Sequence, residues 1–518
     1  MDMFIKLAML VVFFGTMIGI GLYCRRHSTD VNGFVLGGRS VGPWLTAFAY
    51  GTSYFSAVVF VGYAGQFGWK YGIAATWAGI GNAILGSLLA WAVLGRRTRV
   101  MTQHLDSATM PQFFEKRFNN KTLKLAASAI IFIFLIPYTA SLYNGLSRLF
   151  GMAFDIDYSV CVIVMAILTG VYVIAGGYMA TAINDFIQGI IMIGGIIAVI
   201  AAVLKGQGGF LAALDKLGQV SDPAVSSTPG VFASFFGPDP VNLLGVVVLT
   251  SLGTWGLPQM VQKFYAIKNE QAINKGMIIS TVFALIVAGG CYFLGGFGRL
   301  FSDQIDIAAN GFDSVIPTIL SGLGSVLIAV VVILVLSASM STLSSLVLAS
   351  SSTLTLDFIK GSIVKELDEK KQLFIMRLLI VVFIAISVVL AILQYKSSVT
   401  FIAQLMGVSW GALAGAFLAP FLFGLYWKRT TVAGVWASFI FSTVVMLGNI
   451  FMKGMFPAVL QSPINAGAFC MIAGLIIVPV VSLFTPKPDQ ALIENVFSCY
   501  DRKVLVSVKD SIGESAEA

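Results

Sequence analysis

Residues 51–56, Gly-Thr-Ser-Tyr-Phe-Ser ("GTSYFS"), decide how this chain is read, because they sit inside a run from Pro43 to Phe67 that otherwise suits hydrocarbon. A glycine and a cluster of hydroxyls at the midpoint of a bilayer-crossing helix are costly unless their polar atoms find partners. The stretch therefore predicts a helix that breaks at mid-membrane and turns freed backbone oxygens toward something polar.

Working outward, 58% of the 518 residues are hydrophobic and 11% are charged, against about 25% charged in ordinary soluble domains. This is the composition of an all-α polytopic membrane protein. Apolar runs of about 20 residues recur about thirteen times, near 4–23, 43–67, 72–95, 123–150, 158–178, 183–204, 241–262, 276–298, 324–356, 376–395, 399–427, 431–452 and 464–485. No hydrophilic stretch is long enough to fold alone; the longest are a loop at 205–240 and the tail at 486–518.

A net charge of +8 does not point to nucleic acid, because the basic residues sort by loop. Arg25, Arg26 and Arg39, then Arg96, Arg97, Arg99, Lys116, Arg117, Lys121 and Lys124, then Lys263, Lys268 and Lys275, then Lys360, Lys365, Lys370, Lys371 and Arg377, then Lys428 and Arg429, and finally Lys487, Arg502, Lys503 and Lys509 in the tail, all fall on one side. That bias is the one carried by cytoplasmic loops, and it predicts a cell (inner) membrane protein with its N-terminus outside and its tail in the cytoplasm. The first span carries its positive cluster after the apolar run and has no small-residue cleavage site, so it is expected to stay as a helix. The five cysteines are scattered, and His27 and His104 are the only imidazoles. Neither a disulfide framework, a zinc site nor an enzyme's nucleophile–base pair is supported.

The seventh run contains a second interruption, "TSLGTWGLPQ" at 250–259, where Gly253, Gly256 and Pro258 weaken or remove helical hydrogen bonds. A single kink is ordinarily a packing feature. Two kinks five spans apart match the paired broken helices of inverted-repeat transporters, whose unwound backbone faces a cavity. The expected organisation is a leading span and loop (1–42), a first five-helix repeat (43–204), the outer loop (205–240), a second repeat (241–430), two trailing spans (431–485) and the tail. The loop is a lid candidate or a plain connector.

In the ninth run Ser337, Ser341 and Ser345 recur at helical spacing, with Thr342 and Ser344 beside them. Such a strip either back-bonds to its own helix and permits close packing or supplies oxygen to a dehydrated hard cation. Asp185, at the start of the sixth run, is either a functional intramembrane carboxylate or a first-turn acid favoured by the helix dipole.

Together "FVLGGRSVGPW" (34–44), "SYFSA" (53–57), "RLFG" (148–151), "AGGYMATAINDFIQG" (175–189), "GLPQ" (256–259), "SMSTLSS" (339–345) and "GLYWKR" (424–429) resemble the sodium:solute symporter family, in order and spacing over most of the chain. The resemblance implies a leucine-transporter-type 5+5 inverted-repeat fold working by alternating access. It implies sodium ligands at the carbonyls of Thr52, Phe55 and Ala338 and the hydroxyls of Ser341 and Thr342. A second sodium, held in some relatives, would fall on Asp185, Ser341, Ser344 and Ser345. Ser53, Tyr54, Ser56, Tyr138, Thr250, Thr254 and Trp255 are the implied substrate residues.

Proline-type members carry an acid at the position of Tyr54 and aromatic residues at Thr250 and Thr254, whereas Tyr138 matches them. The stretches "SYFSAVVFVG" (53–62) and "WKYG" (69–72) resemble the pantothenate and monocarboxylate branches, so the expected cargo is a small organic carboxylate such as pantothenate or a monocarboxylate, with a proline-like amino acid as the alternative and a membrane sensor or channel as the other classes. Sodium, the solute and the lipid bilayer are the implied partners; nucleic acid and an obligatory protein partner are not.

Overall fold

A computed structural model describes residues 2–25, 29–154, 157–360, 363–364, 367–397 and 402–500. Arg26, His27, Lys365 and the tail beyond residue 500, named above, lie outside the described residues. Among the described residues the regular structure is helical, with three isolated bridges in place of strands.

Among the described residues ten helices are long and apolar enough to cross a bilayer, or eleven when the bent pair Pro240–Gly256 and Pro258–Ala266 counts as one span. This is fewer than the runs in the sequence, for two physical reasons. The run at 43–67 is divided between two short helices. The fifth and sixth runs share one helical stretch, Tyr158–Gly206, of 49 residues. A straight helix of that length would measure about 74 Å, more than twice the hydrocarbon thickness. It turns at Gly177, whose φ of 56° and ψ of −148° suit glycine. A side chain there would also meet Phe34, whose carbonyl lies 2.8 Å from the position of a Cβ.

Each interruption has a local cause. Pro43 opens the helix Pro43–Tyr54, and near its end the Thr52 hydroxyl donates to the Phe48 carbonyl at 2.8 Å and the Ser53 hydroxyl to that of Ala49 at 2.5 Å. Such back-bonding competes with the ladder. Phe55 then takes up φ −85°, ψ 119°, before wide π-type turns at Val58–Tyr63 lead into Ala64–Tyr71. In the seventh span Leu257 is extended, φ −79° and ψ 123°, as the residue before a proline is driven to be. The two halves meet at 45°.

The helix Ser325–Thr353 runs through the middle, with every side chain from Val331 to Thr353 buried. It packs against Lys121–Phe154, Tyr158–Gly206 and Pro43–Tyr54. The hydroxyl strip therefore faces protein, not lipid.

The two faces of the bundle differ. On the one bearing Arg39, Arg99 and Arg117, the segment before the second span is stitched to the end of the seventh: Val41 N–H donates to the Ala266 carbonyl at 3.2 Å, and Lys268 N–H to that of Val41 at 3.1 Å. Arg39 adds bonds to the Ser107 and Tyr265 carbonyls at 2.6 and 3.3 Å. Buried Arg117 donates to the Gly424 and Trp427 carbonyls at 2.8 and 3.2 Å, satisfying the C-terminal end of Ile402–Tyr426.

On the opposite face the 205–240 loop is pinned down: Phe232 is buried, Arg299 pairs with Asp222 at 2.6 Å and Trp77 Nε1 donates to the Phe235 carbonyl at 2.9 Å. Beside it a cavity of about 770 Å³ opens among Gln66, Tyr71, Asn242, Arg299, Gln404 and Asn465.

Candidate functional site

At the first break the chain presents carbonyls that a continuous helix would consume. The Thr52 carbonyl accepts from the Ser341 and Thr342 hydroxyls, each at 3.1 Å. Thr342 Oγ1 also lies 3.3 Å from the Phe55 carbonyl and 3.1 Å from that of Ala338, which Ser341 Oγ approaches at 3.0 Å. All five of these residues are buried. Oxygens about 2.4 Å from a hard cation and at right angles to one another stand about 3.4 Å apart, so a slight expansion of the cluster accommodates such an ion. With no carboxylate in the set, the five neutral oxygens suit a single positive charge.

The implied second set does not converge in the same way. Ser341 Oγ belongs to the first cluster, and Ser344 Oγ donates to the Ser341 carbonyl at 2.9 Å. Ser345 Oγ lies 2.8 Å from Ser53 Oγ and 3.1 Å from Nζ of Lys263, and that ammonium is 3.9 Å from Asp185 Oδ2. Lys263, grouped by the sequence with loop cations, is thus a buried residue of the helix Pro258–Ala266, 2% exposed. Asp185 is fully buried and its oxygens accept no hydrogen bond, so it is no helix cap. Nor is it alone as a buried acid: Asp357 receives the Thr109 hydroxyl at 2.6 Å.

Around the break lie Tyr54, whose ring centroid is 6.3 Å from that of Trp410, and Tyr138, whose ring meets the same tryptophan edge-on at 5.9 Å. Tyr54 OH, Ser56 Oγ, Tyr138 OH and Trp410 Nε1 are buried without a hydrogen-bond partner. Buried polar atoms are seldom left so, and these four, gathered beside the break, are candidate contacts for a solute. The seventh-span residues are engaged elsewhere: Thr250 bonds back to the Val246 carbonyl at 2.8 Å, Thr254 to that of Gly86 at 2.9 Å and Trp255 to that of Leu85 at 2.8 Å. Ser53 joins the Lys263 group.

Trp410 and Lys263 are the site residues that pattern reading missed. Trp410 stands among small residues in "VSWGALAG" (408–415), where a lone large ring is a signal of cavity lining. Lys263 follows Pro258 by five positions, within the half-helix that the broken span demands.

Two matched broken spans meeting beside an oxygen cluster define a secondary transporter of the inverted-repeat class. The overall fold agrees with that of a Na+-coupled sialic acid symporter in a substrate-bound outward-open state, with a TM-score of 0.73 at 16% identity over 94% of this chain and 99% of that one. The sodium:solute symporter family matches residues 34–442, and the chain belongs to that family. It is a sodium-coupled solute symporter and a multi-pass membrane protein. Among similar curated proteins are the osmoregulated proline transporter OpuE of Bacillus subtilis (strain 168), 28% identical over 484 residues, 93% of this chain and 95% of the relative. The sodium/proline symporter of Staphylococcus aureus (strain JH9) is 30% identical over 453 residues, 85% of this chain and 84% of the relative.

Proposed function

We propose that this chain carries proline or a closely similar amino acid together with sodium, the ion being held by the carbonyls of Thr52, Phe55 and Ala338 and the hydroxyls of Ser341 and Thr342. The observation that carries the sodium site is the mutual approach of those five oxygens at the break. Support for the solute comes from the two proline transporters above, which favour the amino acid over pantothenate or a monocarboxylate.

The chemistry of the pocket is compatible with a zwitterion. The hydroxyls of Tyr54, Ser56 and Tyr138 and the indole N–H of Trp410 can donate to a carboxylate, and aromatic faces attract a desolvated ammonium. Tyr54 takes the place of an acid found in proline-type relatives, so the ring faces and the carbonyls at the break have to receive the amine. By the charge bias, the face with Arg39, Arg99 and Arg117 is cytoplasmic and the 205–240 loop lies outside.

The test is uptake of labelled proline by proteoliposomes under an inward sodium gradient, with pantothenate, pyruvate and lactate in parallel. Saturable proline uptake that disappears when potassium replaces sodium is expected. Pantothenate or pyruvate uptake that proline fails to compete would overturn the choice of solute.

A further inference from the structure

The family resemblance implies a further sodium at Asp185, Ser341, Ser344 and Ser345, and here a side chain of the protein reaches the Asp185–Ser345 end of that set. Lys263 comes from the second half of the broken seventh span, with its Nζ donating to Ser345 Oγ at 3.1 Å, 3.9 Å from Asp185 Oδ2 and 5.0 Å from the centroid of the Tyr178 ring. Ser345 in turn touches Ser53, one residue beyond the Thr52 carbonyl, at 2.8 Å.

We propose that the Lys263 ammonium is the resident cation of the Asp185–Ser345 pocket, so that this transporter couples each solute to a single sodium ion. The inference rests on the sodium reading given above. Among the described residues Asp185 is the carboxylate that faces the ammonium, in a fully buried setting, and an ammonium presents the same single charge as a sodium ion, with three donors for oxygen. A mobile cation entering the pocket would meet a fixed one about 4 Å from their shared carboxylate, and like charges at that range repel strongly where water is excluded. Of the four implied ligands, Ser341 is committed to the first cluster and Ser344 to a backbone carbonyl. The two that remain are those the lysine touches or faces.

Because Lys263 is tethered to a half-helix, its charge stays with the protein through the cycle. It fills the pocket without adding to the charge moved across the membrane.

The test counts sodium ions without using a solute. Equilibrium binding of radioactive sodium to the purified protein, with choline as replacement, is expected to saturate at one ion per chain for the wild type. Lys263→Met leaves Asp185 without its partner and is expected to raise the count to two. The double variant Lys263→Met, Asp185→Asn removes both charges and is expected to return it to one.

Two sodium ions bound by the wild type, or an unchanged count in Lys263→Met, would overturn the role of the lysine while leaving the first site in place. If the single variant does not fold, the wild-type count and the double variant decide, and two ions in either overturns the proposal. Absence of any sodium binding by the wild type would instead overturn the sodium reading on which it rests.

Discussion

Thr342→Ala puts the proposed ion site to its sharpest test. Thr342 Oγ1 lies within 3.1–3.3 Å of three carbonyls, those of Thr52, Phe55 and Ala338, and the residue is wholly buried. Alanine removes one of five candidate ligands and leaves the helix intact. A buried polar partner left unmatched costs about 1–3 kcal/mol, and about 1.4 kcal/mol is tenfold in affinity. The half-saturating sodium concentration for uptake should therefore rise about 5- to 150-fold, read from initial rates in proteoliposomes over a sodium series at constant ionic strength. Thr342→Ser keeps the oxygen and should stay close to wild type. Ser344→Ala, whose hydroxyl is turned to the Ser341 carbonyl and away from the cluster, serves as a neighbouring control and should leave the value close to wild type. If Thr342→Ala and Ser341→Ala both transport with the wild-type sodium dependence, the oxygen cluster is not where the ion binds.

Arg117→Ala should destabilise the detergent-solubilised protein by about 2–4 kcal/mol, since two helix-end carbonyls lose a charged donor; unfolding followed by tryptophan fluorescence reads it, and unchanged stability would count against the capping role. Gly68→Ala should fold poorly, because its Cβ would lie 1.9 Å from the Gly295 carbonyl oxygen, and size-exclusion profiles compare it with wild type. The Arg299 hydrogen bond holds the Asp222 carboxyl below its ordinary range. A depressed carboxylate contributes above its unfolded value of about 3.9, and that contribution disappears as pH falls through the lower, folded value. Asp222→Asn should accordingly speed proteolysis of the 220–236 segment at pH 7, while near pH 3 the difference from wild type should narrow. Equal cleavage of both proteins at pH 7 would remove the pairing as an anchor.

The interruptions were legible in the sequence because their causes are local: Pro258 dictates an extended Leu257, and Thr52 and Ser53 compete with the ladder they belong to. The hydroxyl strip was legible as a periodic face, but its partner was not. The contact between Ser341 and the Thr52 carbonyl spans 289 residues, and spacing within either segment carries no information about it; that pairing came from family resemblance. Lys263 was misread because windows of about 19 residues average a short buried half-helix with the polar turn at Lys268 and Asn269 that follows. Asp357 lies one residue beyond the edge of its apolar run, so the same averaging concealed it. In the seventh span Thr254 and Trp255 bond to the carbonyls of Gly86 and Leu85, an orientation that a linear pattern leaves open.

The seam between Val41 and the Ala266–Lys268 segment has a bearing on how readily the transporter changes sides. Its two hydrogen bonds join peptide groups, so replacing the side chains at Val41 or Ile267 leaves every donor and acceptor in place; deleting a donor there takes proline. Two such bonds amount to about 1–3 kcal/mol net, well under the roughly 5.5 kcal/mol that carries a two-state equilibrium from one side to the other. A clasp of that strength yields to the binding or release of one ion. Its modest size makes turnover feasible without an external energy source at the seam itself.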